Sequence, residues 1–262
     1  MPRGVWRATI FRAANRGVTR LVGGIRAVHE GVWLGLSSRE VLHRITDRQY
    51  LTWKHYRAVD FNESDLLPWE KAAVDRYFSE CRSILLGACG GGREILALAR
   101  RGIQVDGFEC SAALVESCRT LLASKGIEAK VLQSLPDQVP EGLGIYDGLI
   151  MGWGGYVHIP GREARIRFLK QFRRQVRAGG PMLLSFFPRS DSRQIRWTFV
   201  IARFVRRASG SRETVDFGDT LPGVFQHLFT KEEIESELRD SGFKIEYYSE
   251  EPCGQVVGRA TG

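Results

Sequence analysis

Apolar positions recur along this chain with two different periods. From residue 1 to about residue 60 the steps are three and four. Trp6, Ile10, Ala14, Leu21, Ile25 and Val28 share one side, and Arg12, Arg16, Arg20 and Arg26 fall on the other. That spacing predicts an amphipathic basic helix. Gly4, Gly17, Gly23 and Gly24 weaken it, each by up to about 1 kcal/mol in a helix interior. A second helical stretch is expected through "SSREVLHRITDRQYLTWKHYRAV". From about residue 66 short apolar runs alternate with helical ones. "SILLGAC", "IQVDGFEC", "EAKVLQ", "YDGLIMGW" and "PMLLSFF" read as five strands. Between them lie "REILALARRG", stopping at Gly102, and a helix capped by Ser111 that buries Leu114, Cys118, Leu121 and Leu122 and ends at Gly126. "REARIRFLKQFRRQVRAGG" turns Phe168, Leu169, Phe172 and Val176 inward. "FTKEEIESELRDSGF" begins with Thr230 as cap, Glu233 to close a capping box and Phe229 to meet Ile234. "KIEYYSEE" and "GQVVGRAT" complete the strands. Such alternation predicts an α/β fold with a doubly wound, mostly parallel sheet.

Composition narrows this little. With 262 residues, 43% hydrophobic and 26% charged, the chain suits a soluble domain with or without an appendage. No apolar run approaches the roughly 18 residues of a membrane span. The N-terminal arginines lack a compact apolar region, so no cleaved signal is expected. Cys81, Cys89, Cys110, Cys118 and Cys253 are odd in number and have no metal-type spacing. They predict reduced thiols in a cytoplasm, without a disulfide framework or a metal site. The net charge of +8 permits nucleic acid, an anionic membrane surface or an acidic substrate as partner and selects none of them.

The chemistry concentrates after the first strand. In open α/β sheets ligands bind beyond the carboxyl ends of the strands. Gly90 and Gly92 sit between the first strand and its helix, where the lack of side chains lets a ligand approach the backbone. Glu109 ends the second strand, and a carboxylate there can accept both hydroxyls of a ribose. The pocket therefore suits an adenosine. A dinucleotide loop of the GxGxxG type would need glycine at Ile95. The tighter spacing, Ala88-Cys89-Gly90-Gly91-Gly92, is the one that fits.

At these residues the chain resembles the class I S-adenosylmethionine-dependent methyltransferases, over roughly residues 80 to 260. "ILLGACGGG", "VDGFEC" and "YDGLIMGWGGY" resemble the family's first, second and fourth motifs, with Asp147 opening the last. "VRAGGPMLLSF" resembles its glycine turn and fifth strand. The resemblance implies a seven-stranded sheet whose last strand is antiparallel, with S-adenosyl-L-methionine as cofactor. It places Ala88, Cys89, Gly90, Gly92, Glu109, Cys110, Ser134, Leu135 and Gly152 at the cofactor, and Gln133 beside the adenine. Two positions depart from the pattern. Leu86 stands where the first motif carries an acid, and Ala88 stands where it carries a glycine. Glu94 is a candidate replacement for the acid, and Arg93 a candidate partner for the methionine carboxylate. An exposed or helix-dipole role is open for both.

Beyond the fourth strand, "GWGGYVHIPG" should face the transferred methyl. It lacks the Asn/Asp-Pro-Pro-aromatic tetrapeptide of amino-methylating nucleic-acid enzymes, a cysteine for pyrimidine C5, and the Asp-Asn pair of the magnesium-dependent catechol type. His158 and Tyr156 are the candidate catalytic groups, with His227 behind them and Trp153 as a wall. His29, His43 and His55 read as ordinary helix residues. Residues 1–60 are expected as a helical cap and 61–262 as the methyltransferase domain. An insert at 189–228 would join the cap, its helix showing Trp197, Val200, Ile201, Phe204 and Val205 on one face. Asp147 is expected beside the methyl site. The expected function is methyl transfer to an O or N of a small-molecule or lipid-like acceptor, with peripheral contact to an anionic membrane as a rival role for the helices. An RNA methyltransferase and a non-catalytic scaffold of the same fold stay open as alternatives.

Overall fold

A computed structural model describes residues 5–262, with side chains from residue 10 onward. Gly4 and the Trp6 side chain lie outside the described residues. Helix α1 (Val5–Leu36) runs unbroken through Gly17, Gly23 and Gly24. It is followed by α2 (Arg39–Thr52), a 3-10 turn (Lys54–Arg57), α3 (Val59–Asn62) and α4 (Pro68–Tyr77), the last not anticipated from the pattern.

The α/β part follows: β1 (Ser83–Gly87), α5 (Arg93–Ala99), β2 (Gln104–Glu109), α6 (Ala112–Ser124), β3 (Val131–Gln133) and β4 (Gly148–Met151). After a 3-10 turn (Gly155–His158) come α7 (Arg162–Arg173), β5 (Pro181–Pro188), α8 (Arg193–Ala208), β6 (Asp219–Thr220) and β7 (Gln226–Phe229). Helix α9 (Lys231–Asp240) precedes β8 (Phe243–Ser249) and β9 (Gly254–Ala260).

Seven strands form the main sheet in the order β3-β2-β1-β4-β5-β9-β8. All are parallel except β9, the last in the chain, which is antiparallel to both β5 and β8. This is the expected doubly wound arrangement. One addition was not foreseen. The upper end of β5 leaves β9 and pairs through Phe187 and Pro188 with β7, which carries β6 along its far edge.

Strand periodicity explains the two cores. Leu85, Leu149, Met151, Met182 and Leu184 point to the face covered by α7 and α9, where Phe168, Phe172, Ile234 and Leu238 lie. Ile84, Leu86, Ile150 and Leu183 point to the other face, covered by α4, α5 and α6. A strand buried on both faces reads as a continuous apolar run, and that is how β1, β4 and β5 read. The α9 capping box forms as expected, with the Thr230 N–H donating to Glu233 at 2.8 Å and the Glu233 N–H to Thr230 Oγ1 at 3.3 Å.

Helices α1 and α8 pack against each other. A Cβ on Gly31 would stand 2.8 Å from the Ile201 side chain and the Thr198 carbonyl, and one on Gly35 would stand 2.5 Å from Val205 and 2.8 Å from the Ala202 carbonyl. Two glycines one turn apart thus let the backbones approach. Matching positions advance together, so the helices run parallel. Leu34, Leu42, Ala202, Leu221 and Phe225 form a small third core beneath them. Among the described residues no helix is long and apolar enough to cross a membrane.

Replacing Gly35 by valine is expected to overpack this contact and destabilise the protein by about 2 kcal/mol. Gly17→Ala, with no atom within 4 Å of the added methyl, is expected to stabilise it by about 0.5–1 kcal/mol. The midpoint of urea unfolding at constant slope reads both.

Candidate active site

The carboxyl ends of β1, β2 and β4 open into a cavity of about 670 Å³. Its floor is the loop after β1, whose backbone alternates into the left-handed region at Ala88 (φ 52°), Gly90 (φ 55°) and Gly92 (φ 100°). Ala88 therefore occupies the conformation a glycine favours, at a cost of roughly 1–2 kcal/mol. The loop is anchored by the Cys89 N–H, which donates to the Phe108 carbonyl at 3.1 Å.

Glu109 closes the floor. Its Oε1 accepts the N–H groups of Cys110 at 2.8 Å and Ser111 at 3.0 Å, and its Oε2 accepts the N–H of Gly90 at 3.1 Å. Oε2 retains lone pairs toward the cavity. Ser111 stands at the start of α6, but its hydroxyl caps nothing: Oγ is buried, lacks a partner and lines the cavity.

Of the residues expected at the cofactor, Ala88, Cys89, Gly90, Glu109, Cys110, Ser134 and Leu135 line the cavity together, as do Arg93, Glu94, Trp153 and His158. Gly92 and Gly152 do not. Gly92 starts α5 where a Cβ would meet Cys118 Sγ at 2.8 Å, and Gly152 lets its strand end pass the Ala88 carbonyl, 2.3 Å from where a Cβ would sit. Both glycines shape the loop from behind. Gln133 is exposed beside it. Leu86 is fully buried among the apolar side chains beneath α5 and does not line the cavity.

Behind the loop lies a buried charge cluster. Arg93 forks onto Glu70 through two bonds of 2.8 Å and holds Glu94 at 2.7 Å. Burial raises the pKa of Glu94, with Glu70 adding to the effect and Arg93 opposing it. Arg93 is thus committed to two carboxylates, and Glu94 is the acid at the cavity wall.

Tyr156, expected as a catalytic group, is not at the cavity. Its ring stacks on Phe229 in the core and its hydroxyl donates to Glu237. Arg165 also holds Glu237, at 2.8 Å. A 3-10 turn sends adjacent side chains in different directions, so Tyr156 points inward while His158 reaches the cavity. Asp147 lies at the opposite end of β4, where it accepts the N–H groups of Arg82 at 2.8 Å and Ser83 at 3.0 Å and pairs with Arg177. Its pKa is lowered by these contacts against burial. It is a sheet-end brace, not a neighbour of the cavity. His227 is buried away from the cavity, its Nδ1 on Asp219 at 2.7 Å. Burial works to lower its pKa, but hydrogen bonds to Asp219 and Glu233 outweigh it and raise the value.

The roof of the cavity comes largely from the segment expected as a cap, through residues that the sequence did not single out for the site. Residues of α2, with Tyr56, Phe61 and Asn62, cover the glycine loop. A Cβ on Gly91 would stand 2.4 Å from the Tyr56 carbonyl, so the roof rests directly on the loop. His43 lines the cavity with a buried, unpartnered Nε2 and a pKa lowered by burial. Tyr50 reaches down to His158 Nε2 at 2.9 Å. The other nitrogen, Nδ1, lies 2.6 Å from the Phe225 carbonyl and so carries the proton, which leaves Nε2 to accept from Tyr50. Burial lowers the pKa of His158, and raises that of Tyr50 well above the ordinary value. The aromatic cluster of "QYLTWKHY" was the available signal for this roof. The insert after β5 adds only Glu213 to the cavity, and the described part of α1 adds nothing.

Residues 84–180 match the family model of a methyltransferase domain. Solved structures share the fold. An S-adenosylmethionine-dependent methyltransferase from Methanosarcina mazei is 20% identical, with a TM-score of 0.54 over 76% of this chain and 99% of its own. The amino pentose methyltransferase CalS10 from Micromonospora echinaspora is 15% identical, with a TM-score of 0.54 over 73% of this chain and 88% of its own. The sugar N-methyltransferase KedS8 from Streptoalloteichus is 15% identical, with a TM-score of 0.54 over 74% and 86%. No curated protein matches the chain in sequence. The resemblance to class I methyltransferases drawn from the motifs is borne out.

Tyr156→Phe is expected to lower stability by about 1 kcal/mol, the worth of one hydrogen bond, while ligand binding by calorimetry is unchanged. In an NMR titration His158 is expected to protonate below pH 6.5 and His227 above it. Tyr50→Phe removes a donor to neutral His158 and is expected to move its midpoint upward.

Proposed function

We propose that this chain is an S-adenosylmethionine-dependent methyltransferase acting on an O or N of a small-molecule or lipid-like acceptor. The observation that carries this reading is the Glu109 carboxylate at the end of β2, bound to the Gly90 N–H and still open toward the cavity. The residues present fit the cofactor. Above Gly90 there is open space, and Ser111 and His43, which line the cavity, each carry a buried polar atom without a hydrogen-bond partner.

In this reading Glu109 takes the ribose hydroxyls, and the loop from Ala88 to Gly91 lies under the methionine part. Ser134 and Leu135 flank the base, and Glu94 receives the amino group. The cofactor supplies a methyl group on a sulfonium, ready for in-line displacement. The protein's own work is alignment, worth as much as roughly 7–11 kcal/mol, and removal of a proton from the acceptor. His158 is placed for that removal: burial keeps it neutral, and its unprotonated Nε2 accepts the hydrogen bond of Tyr50 at the cavity. Tyr50 stays neutral and relays: it gives its hydroxyl proton to Nε2 as its oxygen takes the proton of the acceptor. Residues of α2 cover one side of the cavity. The sugar-directed names of two structures with this fold, CalS10 and KedS8, support a small-molecule acceptor.

Isothermal titration with S-adenosylmethionine and S-adenosylhomocysteine tests the proposal, with NADH as control. Binding in the micromolar range is expected, and Glu109→Gln is expected to weaken it by about tenfold or more, or roughly 1.4 kcal/mol. No binding of either at millimolar concentration would leave only the scaffold reading.

A further inference from the structure

The apolar face of α1 points the wrong way for a cap. The positions it buries are Ala27, Glu30, Gly31, Leu34 and Gly35, and the stripe of Phe11, Val18, Leu21 and Ile25 lies on the opposite side of the helix. Phe11 is 69% exposed, Leu21 66% and Ile25 61%. Every residue from 10 to 22 is exposed, so the first half of the described helix stands clear of the body. Its partner behaves alike: α8 buries Ile195, Thr198, Ala202 and Arg206 and leaves Trp197 60% and Phe204 74% exposed. The expected single face of α8 is therefore split, with Ile201 and Val205 spent on the glycines of α1.

The helices run parallel and bury matching sides against the protein. At 100° per residue, their exposed apolar stripes emerge on the same outer side. Together they make one apolar platform, larger than the scattered single side chains normal on a surface. Positive charge accompanies it: on α1 Arg12, Arg16 and Arg20 lie on the face opposite the stripe, and on α8 arginines border Trp197 and Phe204. Each helix carries five arginines, and the one acid between them, Glu30, is buried. Arg12, Arg16, Arg20, Arg26, Arg203 and Arg207 are exposed.

We infer that the α1–α8 platform docks on an anionic lipid bilayer. An exposed apolar face with arginines on the polar face, on a helix too polar to span, is the composition of an in-plane interfacial helix. A second copy of this chain is a poorer occupant, because it would bring arginines against arginines with no exposed acid on either helix. The inference does not depend on the cofactor reading.

The test is co-sedimentation of the full chain with vesicles of phosphatidylglycerol and phosphatidylcholine, against vesicles of phosphatidylcholine alone. Binding is expected to the mixed vesicles, falling with added salt, and about tenfold weaker or absent on the neutral ones. Leu21→Asp with Phe204→Asp is expected to abolish it, with an unchanged circular dichroism spectrum. Should that pair fail to fold, Val18→Asp with Ile25→Asp, confined to α1, answers the same question. No pelleting with mixed vesicles overturns the inference, as does equal pelleting with neutral vesicles or pelleting that survives the aspartates. Sedimentation equilibrium showing a dimer that the aspartates dissolve, without vesicle binding, would assign the face to a second copy. Salt-sensitive RNA binding lost in Arg16→Glu with Arg203→Glu, again without vesicle binding, would assign it to RNA.

Discussion

One carboxylate holds the site together. Glu109 gathers the N–H groups of Gly90, Cys110 and Ser111, and so fixes the ends of two neighbouring strands against each other. Three N–H donors that a ligand cavity would otherwise leave exposed are satisfied by a side chain that still faces the ligand. The left-handed turns at Ala88, Gly90 and Gly92 are the backbone's side of the same arrangement. Each reverses the chain so that the loop stays close to the strand ends rather than rising over them.

A second constraint acts at the roof. Gly91 passes under Tyr56 with no room for a methyl, and Asn62 holds the Tyr56 carbonyl at 2.9 Å. Tyr50 then reaches His158 across the cavity. The roof is itself steadied by Arg206, which donates to the Leu34 and Ser37 carbonyls at 2.6 Å each, where α1 ends and α2 is about to begin. The insert after β5 thus acts on the cavity at one remove. It orients the segment that covers the site more than it covers the site.

The sheet and its loop were legible in the sequence because they rest on local patterns. Strands buried on both faces are continuous apolar runs, and a loop that must turn left-handed is rich in glycine. The capping box of α9 is written in four consecutive residues. What was not legible depended on direction or on distance in the chain. Tyr156 and His158 are two residues apart, yet one faces the core and the other the cavity. Asp147 stands just before β4 and Met151 at its far end, so the two lie at opposite edges of the sheet. Tyr50 meets His158 from 108 residues away, so no spacing could announce it. The stripe on α1 was visible, but periodicity tells that a helix has two faces and not which one the body takes.

The contact between α1 and α8 also has a history in time. Arg206 and the Leu34 carbonyl it grips are 172 residues apart. At a synthesis rate of about 5–20 residues per second, α1 leaves the ribosome roughly ten to thirty seconds before α8 exists. During that interval the two glycines that later admit Ile201 and Val205 face nothing, and the helix carries its apolar stripe into the cell unaccompanied. Whatever receives that stripe in the finished protein is available to the nascent chain first, before there is any cavity for it to serve.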